Sequence, residues 1–330
     1  MEIRTYFKWL ICILLVLNIE VFTQTLNSAN STYQAPDSTV QKIWEINNDT
    51  TASSNVIISN NNIFYTLDDG LVYCYDFSGN EKWVAEVFGS IKNNSVQYKD
   101  LVLTATTSGD LYSINSNNGD IIQVIGVSEN LTTDLSLIKL TTTGVESIGI
   151  VFGTEAGNIY CYDIFSFELI WKIKLSPQPL ISNPLIIGDK ILFKDSASSI
   201  YCVNAKSGLL IWKYEFNQKA VNNNSLIQAD EKYIYTLSSN GEVSALDLML
   251  GKKLWSVKIP NVITQIFLSI KTQNLVLLKR DGELIFISTK DGKEIKKISL
   301  DKEDLTSFCY YDLNDYSLIA LSDGSVYRID

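Results

Sequence analysis

From Lys42 onward, short apolar stretches alternate with polar turns, and no apolar stripe recurs at the spacing of a helix. Ser225 to Gln228, Tyr233 to Leu237, Glu242 to Asp247 and Lys253 to Ile259 each read as an extended strand rich in β-branched and aromatic residues. Together they form one unit, and the unit recurs. The turn between its second and third strands holds Gly70, Gly109, Gly157, Ser198, Gly241, Gly282 and Gly324, spaced by 39, 48, 41, 43, 41 and 42 residues. Three residues later stand Tyr73, Tyr112, Tyr160, Tyr201, Ser244, Ile285 and Tyr327. Six residues after the turn stand Asp76, Asn115, Asp163, Asn204, Asp247, Ser288 and Asp330. A period of this length with so many positions in register predicts propeller blades or a solenoid.

The two ends of the pattern favour the propeller. A fourth-strand position follows each turn, at Trp83, Gln123, Trp171, Trp212, Trp255 and Lys296, whereas the seventh would fall beyond Asp330. Lys42-Ile43-Trp44-Glu45-Ile46 stands unassigned ahead of the first unit. If Lys42–Ile46 supplies the missing strand, the sheet closes into a ring and its edges are hidden. The expected fold is therefore all-β, a seven-bladed propeller of four-stranded antiparallel blades closed by an N-terminal strand. The long third spacing places an insertion, residues 141–147, as a surface loop between the first two strands of that blade.

The residues around the fourth strand resemble the tryptophan-docking pattern of PQQ-like propeller repeats, roughly A-x-D-x-x-x-G-x-x-x-W. That family includes quinoprotein dehydrogenases and the BamB-type outer-membrane assembly lipoproteins. Ala245, Asp247, Gly251 and Trp255 match in full. Cys202, Asn204, Gly208 and Trp212 match with conservative changes, and Cys161, Asp163 and Trp171 match with Phe167 in the glycine position. Cys74, Asp76, Gly79 and Trp83 fit with one residue deleted. Ser113 and Gly119 keep register but lead to Gln123, and Gly292 leads to Lys296. The resemblance covers Lys42 to Asp330 and implies structural blade-docking roles for Trp44, Trp83, Trp171, Trp212 and Trp255. Gln123 and Lys296 are expected to mark weaker seams between blades.

Ahead of the repeats, Arg4 and Lys8 precede an apolar run from Trp9 to Leu17, which reads as a signal peptide within residues 1–25. Left uncleaved, the same run would anchor the chain to a membrane, its only expected membrane contact. Residues 26–40 read as a flexible lead-in, and 41–330 as the propeller. The net charge of −10 and pI near 4.7 argue against a nucleic-acid footprint.

Histidine is absent, which removes the usual general base and most zinc sites. Cys74, Cys161 and Cys202 share the position held by Ala245 and read as small buried side chains set apart around the ring. Cys309 falls in a strand of the last blade. Glycosylation acceptor sequences occur at Asn30, Asn48, Asn93, Asn130 and Asn223, a number that composition accounts for.

Asp68, Asp69, Glu155, Asp281 and Asp323 lie in the hairpin turns and would share one face of the ring. They are the candidate partner-binding rim, although Asp in such turns also serves local hydrogen bonding. No catalytic, metal or cofactor residues are assigned. Adjacent cysteines of the kind quinoprotein dehydrogenases carry are missing, so PQQ is not expected. The sequence points to an exported, non-catalytic scaffold that binds protein partners at the cell envelope, periplasm foremost. Two alternatives stay open: a small-molecule or quinone-binding propeller or redox enzyme, and a luminal or surface sensor of a eukaryotic secretory pathway.

Overall fold

A computed structural model describes residues 56–59, 61–142, 145–216, 227–238, 241–302, 305–306, 308–313, 316–322 and 325–329. The signal segment, Trp44 with the expected closing strand Lys42–Ile46, and Asp323 lie outside the described residues.

Seven antiparallel sheets follow one another along the chain, and no helix occurs among the described residues. Blade 1 comprises β1 (Ile57–Ser59), β2 (Asn62–Thr66), β3 (Leu71–Asp76) and β4 (Glu81–Glu86). Blade 2 comprises β5 (Val96–Tyr98), β6 (Leu101–Ala105), β7 (Asp110–Asn115) and β8 (Ile121–Gly126). Blade 3 comprises β9 (Ser136–Thr142), β10 (Val145–Gly153), β11 (Asn158–Asp163) and β12 (Leu169–Lys174). Blade 4 comprises β13 (Leu185–Ile187), β14 (Lys190–Lys194), β15 (Ile200–Asn204) and β16 (Leu210–Tyr214). Blade 5 comprises β17 (Gln228–Ala229), β18 (Tyr233–Leu237), β19 (Glu242–Asp247) and β20 (Lys253–Lys258). Blade 6 comprises β21 (Val262–Ser269), β22 (Asn274–Lys279), β23 (Glu283–Ser288) and β24 (Glu294–Ser299). Blade 7 has three described strands, β25 (Phe308–Asp312), β26 (Ser317–Leu321) and β27 (Val326–Ile329). The fold is a seven-bladed β-propeller.

The core lies between blades rather than within them. Because successive side chains of a strand point to opposite faces, each blade deals its apolar residues to two neighbours. Phe64 joins Val102 and Ile114 of blade 2, whereas Tyr65, one residue on, packs with Tyr75 and Leu67 on the other face of blade 1. Each seam from blade 1 to blade 7 has its own cluster of this kind.

One expectation is corrected. The described extra residues of the third unit, 141–142 and 145–147, do not form a loop beside the blade. They lengthen its first hairpin, with Val145 paired to Thr142, Glu146 to Thr141 and Ser147 to Leu140. Extending a ladder satisfies the backbone groups that a loop would leave to water.

Candidate interaction surface

The sequence pattern becomes legible once the blades are placed side by side. In each Trp-bearing blade the indole sits opposite the small residue of its own third strand, pairing Trp83 with Cys74, Trp171 with Cys161, Trp212 with Cys202 and Trp255 with Ala245. A larger side chain there would lift the ring off its sheet. The indole then reaches into the next blade and donates to a backbone carbonyl: Trp83 to Ser116 at 3.0 Å, Trp171 to Ala205 at 3.1 Å, Trp212 to Leu248 at 2.9 Å and Trp255 to Thr289 at 3.0 Å. Its face lies on the pattern glycine of that next blade. A Cβ placed on Gly251, whose φ is +65°, would come within 2.5 Å of the Trp212 ring.

The aspartate of the pattern holds the same turn. Asp247 Oδ1 accepts from the amides of Met249 and Leu250, and Asn204 and Asp163 act alike in blades 4 and 3. Each member of the motif thus acts across or beside a seam.

The two positions without tryptophan are built differently, each with an aromatic ring supplied from another position. Where blade 2 carries Gln123, the facing glycine of blade 3 is replaced by Phe167, buried at 6% exposure among Leu103, Leu111 and Ile148. The aromatic ring is supplied from the opposite side, at the cost of a left-handed φ of +54°. In blade 6, where Lys296 stands, the small residue across the ladder becomes Phe286, which packs with Phe308 and Ile319 of blade 7.

A scan against family models matches residues 141–262 and 198–329 to the family described as outer membrane protein assembly factor BamB. The chain belongs to this family of PQQ-like repeats. Among solved structures, BamB from Moraxella catarrhalis aligns over 87% of this chain and 85% of its own, with TM-score 0.66 and 16% identity. Sqt1 of Saccharomyces cerevisiae aligns over 82% and 81%, with TM-score 0.65 and 11% identity. These likenesses show the propeller fold. Comparison with the curated proteins finds no match.

In this BamB-family ring the turns between second and third strands form one face. Their glycines are required because the chain leaving the fourth strand crosses directly above: a Cβ on Gly241 would lie 2.2 Å from the Ile259 carbonyl oxygen. Ile259 in turn donates its amide to the Gly241 carbonyl at 2.8 Å, which locks turn to connection.

The candidate rim residues stand on these locked turns but do not converge. Asp68 and Asp69 belong to blade 1, Glu155 to blade 3 and Asp281 to blade 6, and no hydrogen bond or ion pair among the described residues joins one to another. Asp68 accepts from Ser90 Oγ at 2.5 Å, Asp69 caps the Leu71 amide, and Asp281 meets Lys279 at 3.3 Å. Glu155 accepts from Asn130 at 2.8 Å and shares a shallow recess with Ser128 and Glu129.

Glu129 was not legible in the sequence. It arrives on the connection from blade 2 and accepts from Thr154, Asn158, Tyr160 and Lys172 at 2.7 to 3.0 Å. Burial would raise its pKa, but these donors outweigh it and hold the carboxyl at about 2. Connection residues do not repeat in type: the positions twenty after the turn are Ser90, Glu129 and Pro177. A carboxylate with every lone pair engaged ties blade to connection and has none free for proton transfer. The cysteines of the pattern are buried free thiols, pushed up by burial to about 11 for Cys74 and about 12 for Cys161 and Cys202. Asn93, a candidate glycan acceptor, has its side-chain nitrogen buried.

Proposed function

We propose that the protein is an exported, non-catalytic scaffold that holds protein partners at the cell envelope through the turn face of its ring. The observation that carries this reading is the locking of the turns of blades 1, 2, 3, 5 and 6 to the connections above them. Asp69, Glu155 and Asp281 project from backbone that is fixed by its neighbour, so a partner meets a preorganised acidic surface. The outer-membrane assembly role by which the family is described supports the envelope setting. The chemically versatile side chains of the repeat are spent on docking, and histidine is absent, which supports a binding rather than a catalytic role. No cofactor is proposed.

The test is affinity capture from an envelope fraction with the wild-type chain and with D69K/E155K/D281K. These substitutions reverse three separated charges and leave the tryptophan contacts between blades in place. Loss of the captured partner in the variant is expected. Capture of the same partner in the same amount would overturn the assignment of the face.

A further inference from the structure

In the middle ladder of each blade, the residue three after the turn lies across from a residue of the second strand. The pairs are Tyr73 with Tyr65, Tyr112 with Thr104, Tyr160 with Phe152, Tyr201 with Phe193, Ile285 with Leu277 and Tyr327 with Ile319. Each of these pairs contains at least one large side chain. Blade 5 instead sets Thr236 across from Ser244. Both are fully buried, and neither hydroxyl has a hydrogen-bond partner. An unmet polar group in a core is destabilising, so two facing each other call for an occupant that accepts from them.

The same seam receives a buried cation. Strand β14 of blade 4 turns Leu192 toward blade 5, where it packs with Ile234 and Leu246, and Lys194, two residues on, points the same way. Lys194 is 1% exposed, at a position that holds Thr66, Ala105, Gly153, Leu237, Leu278 and Ala320 in the other blades. Across their own seams Ala105 shares a cluster with Phe152, Leu237 with Leu277, and Leu278 with Ile319. The same register brings Lys194 against Thr236 and Ser244.

The carboxylates of this region are committed elsewhere. Asp195 accepts from Ser176 Oγ, the Ser199 amide and Tyr201. Glu242, on the face of β19 that carries Ser244, pairs with Lys253 at 3.6 Å. Burial pulls the Lys194 pKa down to about 8 against the opposing pull of Asp195. The group is therefore charged at neutral pH in surroundings that favour its neutral form.

Two hydroxyls in need of an acceptor and an ammonium with three N–H donors make a positively charged enclosure, and its complement is an anion. We propose that the seam between blades 4 and 5 binds one small monovalent anion of the halide class, held by Lys194 Nζ, Thr236 Oγ1 and Ser244 Oγ. Ser244 stands where five other blades carry tyrosine, and the lysine stem enters the space of the missing phenol, so a single-atom ion suits the gap better than a polyatomic one. A water there would satisfy the hydroxyls without offsetting the buried charge. The site is internal and stands apart from the partner face.

Urea unfolding of the full chain is followed at fixed ionic strength as chloride replaces gluconate, for the wild type, Lys194→Met and T236V/S244A. An ion that binds only the folded state lowers the unfolding constant in proportion to its concentration once the site is filled, so a fall of about tenfold per tenfold rise in chloride is expected for the wild type. Bromide should substitute for chloride, and in both variants the dependence should be lost. The chlorine-35 resonance line should broaden with the wild type and stay sharp with the variants. A wild-type unfolding constant that ignores chloride would leave water in the gap and overturn the proposal. The same chloride dependence in all three chains would assign it to exposed lysines and overturn it too. If Lys194→Met fails to fold, T236V/S244A carries the comparison, because it keeps the shape of both side chains and removes only the hydroxyls.

Discussion

Substitution of Gly251 by alanine tests whether the indole of one blade fixes the backbone of the next. Two costs combine at this position. A left-handed φ of +65° disfavours any Cβ by about 1 to 2 kcal/mol. The new methyl would also meet the Trp212 ring at 2.5 Å, and overpacking of this kind costs about 1 to 3 kcal/mol. Gly188 separates the two, since its φ is +57° but no atom lies within 4 Å of the added Cβ. Gly251→Ala should therefore lose about 2 to 5 kcal/mol and Gly188→Ala about 1 to 2. Urea unfolding followed by far-ultraviolet circular dichroism measures both. In a Trp212→Ala background the steric part of the Gly251→Ala cost should vanish, which gives a coupling of about 1 to 3 kcal/mol in the double-mutant cycle. Equal losses at Gly251 and Gly188, or a coupling indistinguishable from zero, would refute the reasoning.

Phe167→Gly should destabilise the seam of blades 2 and 3 by about 3 kcal/mol, the loss of a buried ring less the relieved φ. Adding Gln123→Trp should recover much of that in thermal melts, because it rebuilds the tryptophan-on-glycine contact of the other seams. Glu129 has its folded pKa depressed to about 2 from the ordinary 4.5, so its contribution is present above about pH 4.5 and is lost as pH falls toward 2. A shift of that size corresponds to about 3 kcal/mol, and the acid limb of the wild-type stability curve should be flatter in Glu129→Gln over this interval. Cys74, Cys161 and Cys202 should resist a thiol reagent in the native protein at pH 8 and react once it is unfolded, as read by mass. Labelling of any of the three in the folded state would contradict their burial.

The blade period, the seven units and the tryptophan positions were legible in the sequence because they are enforced locally. A hairpin turn held at positive φ beneath a crossing segment favours glycine, with Ser198 the exception at φ +69°, and an indole across a ladder favours a small residue opposite. These demands print a register of Gly70, Gly109 and Gly157, or of Cys161 and Trp171, that needs no structure to be seen. What the tertiary structure decided lies between blades, where the partners are some forty residues apart and no period links them. Only packing shows that Phe167 replaces the ring missing at Gln123, or that Glu129 gathers four donors. The same holds for residues 141–142 and 145–147, which join a ladder because a partner strand is there to receive them. The sequence by itself determined the repeating unit, and the seams determined what each departure from the repeat does.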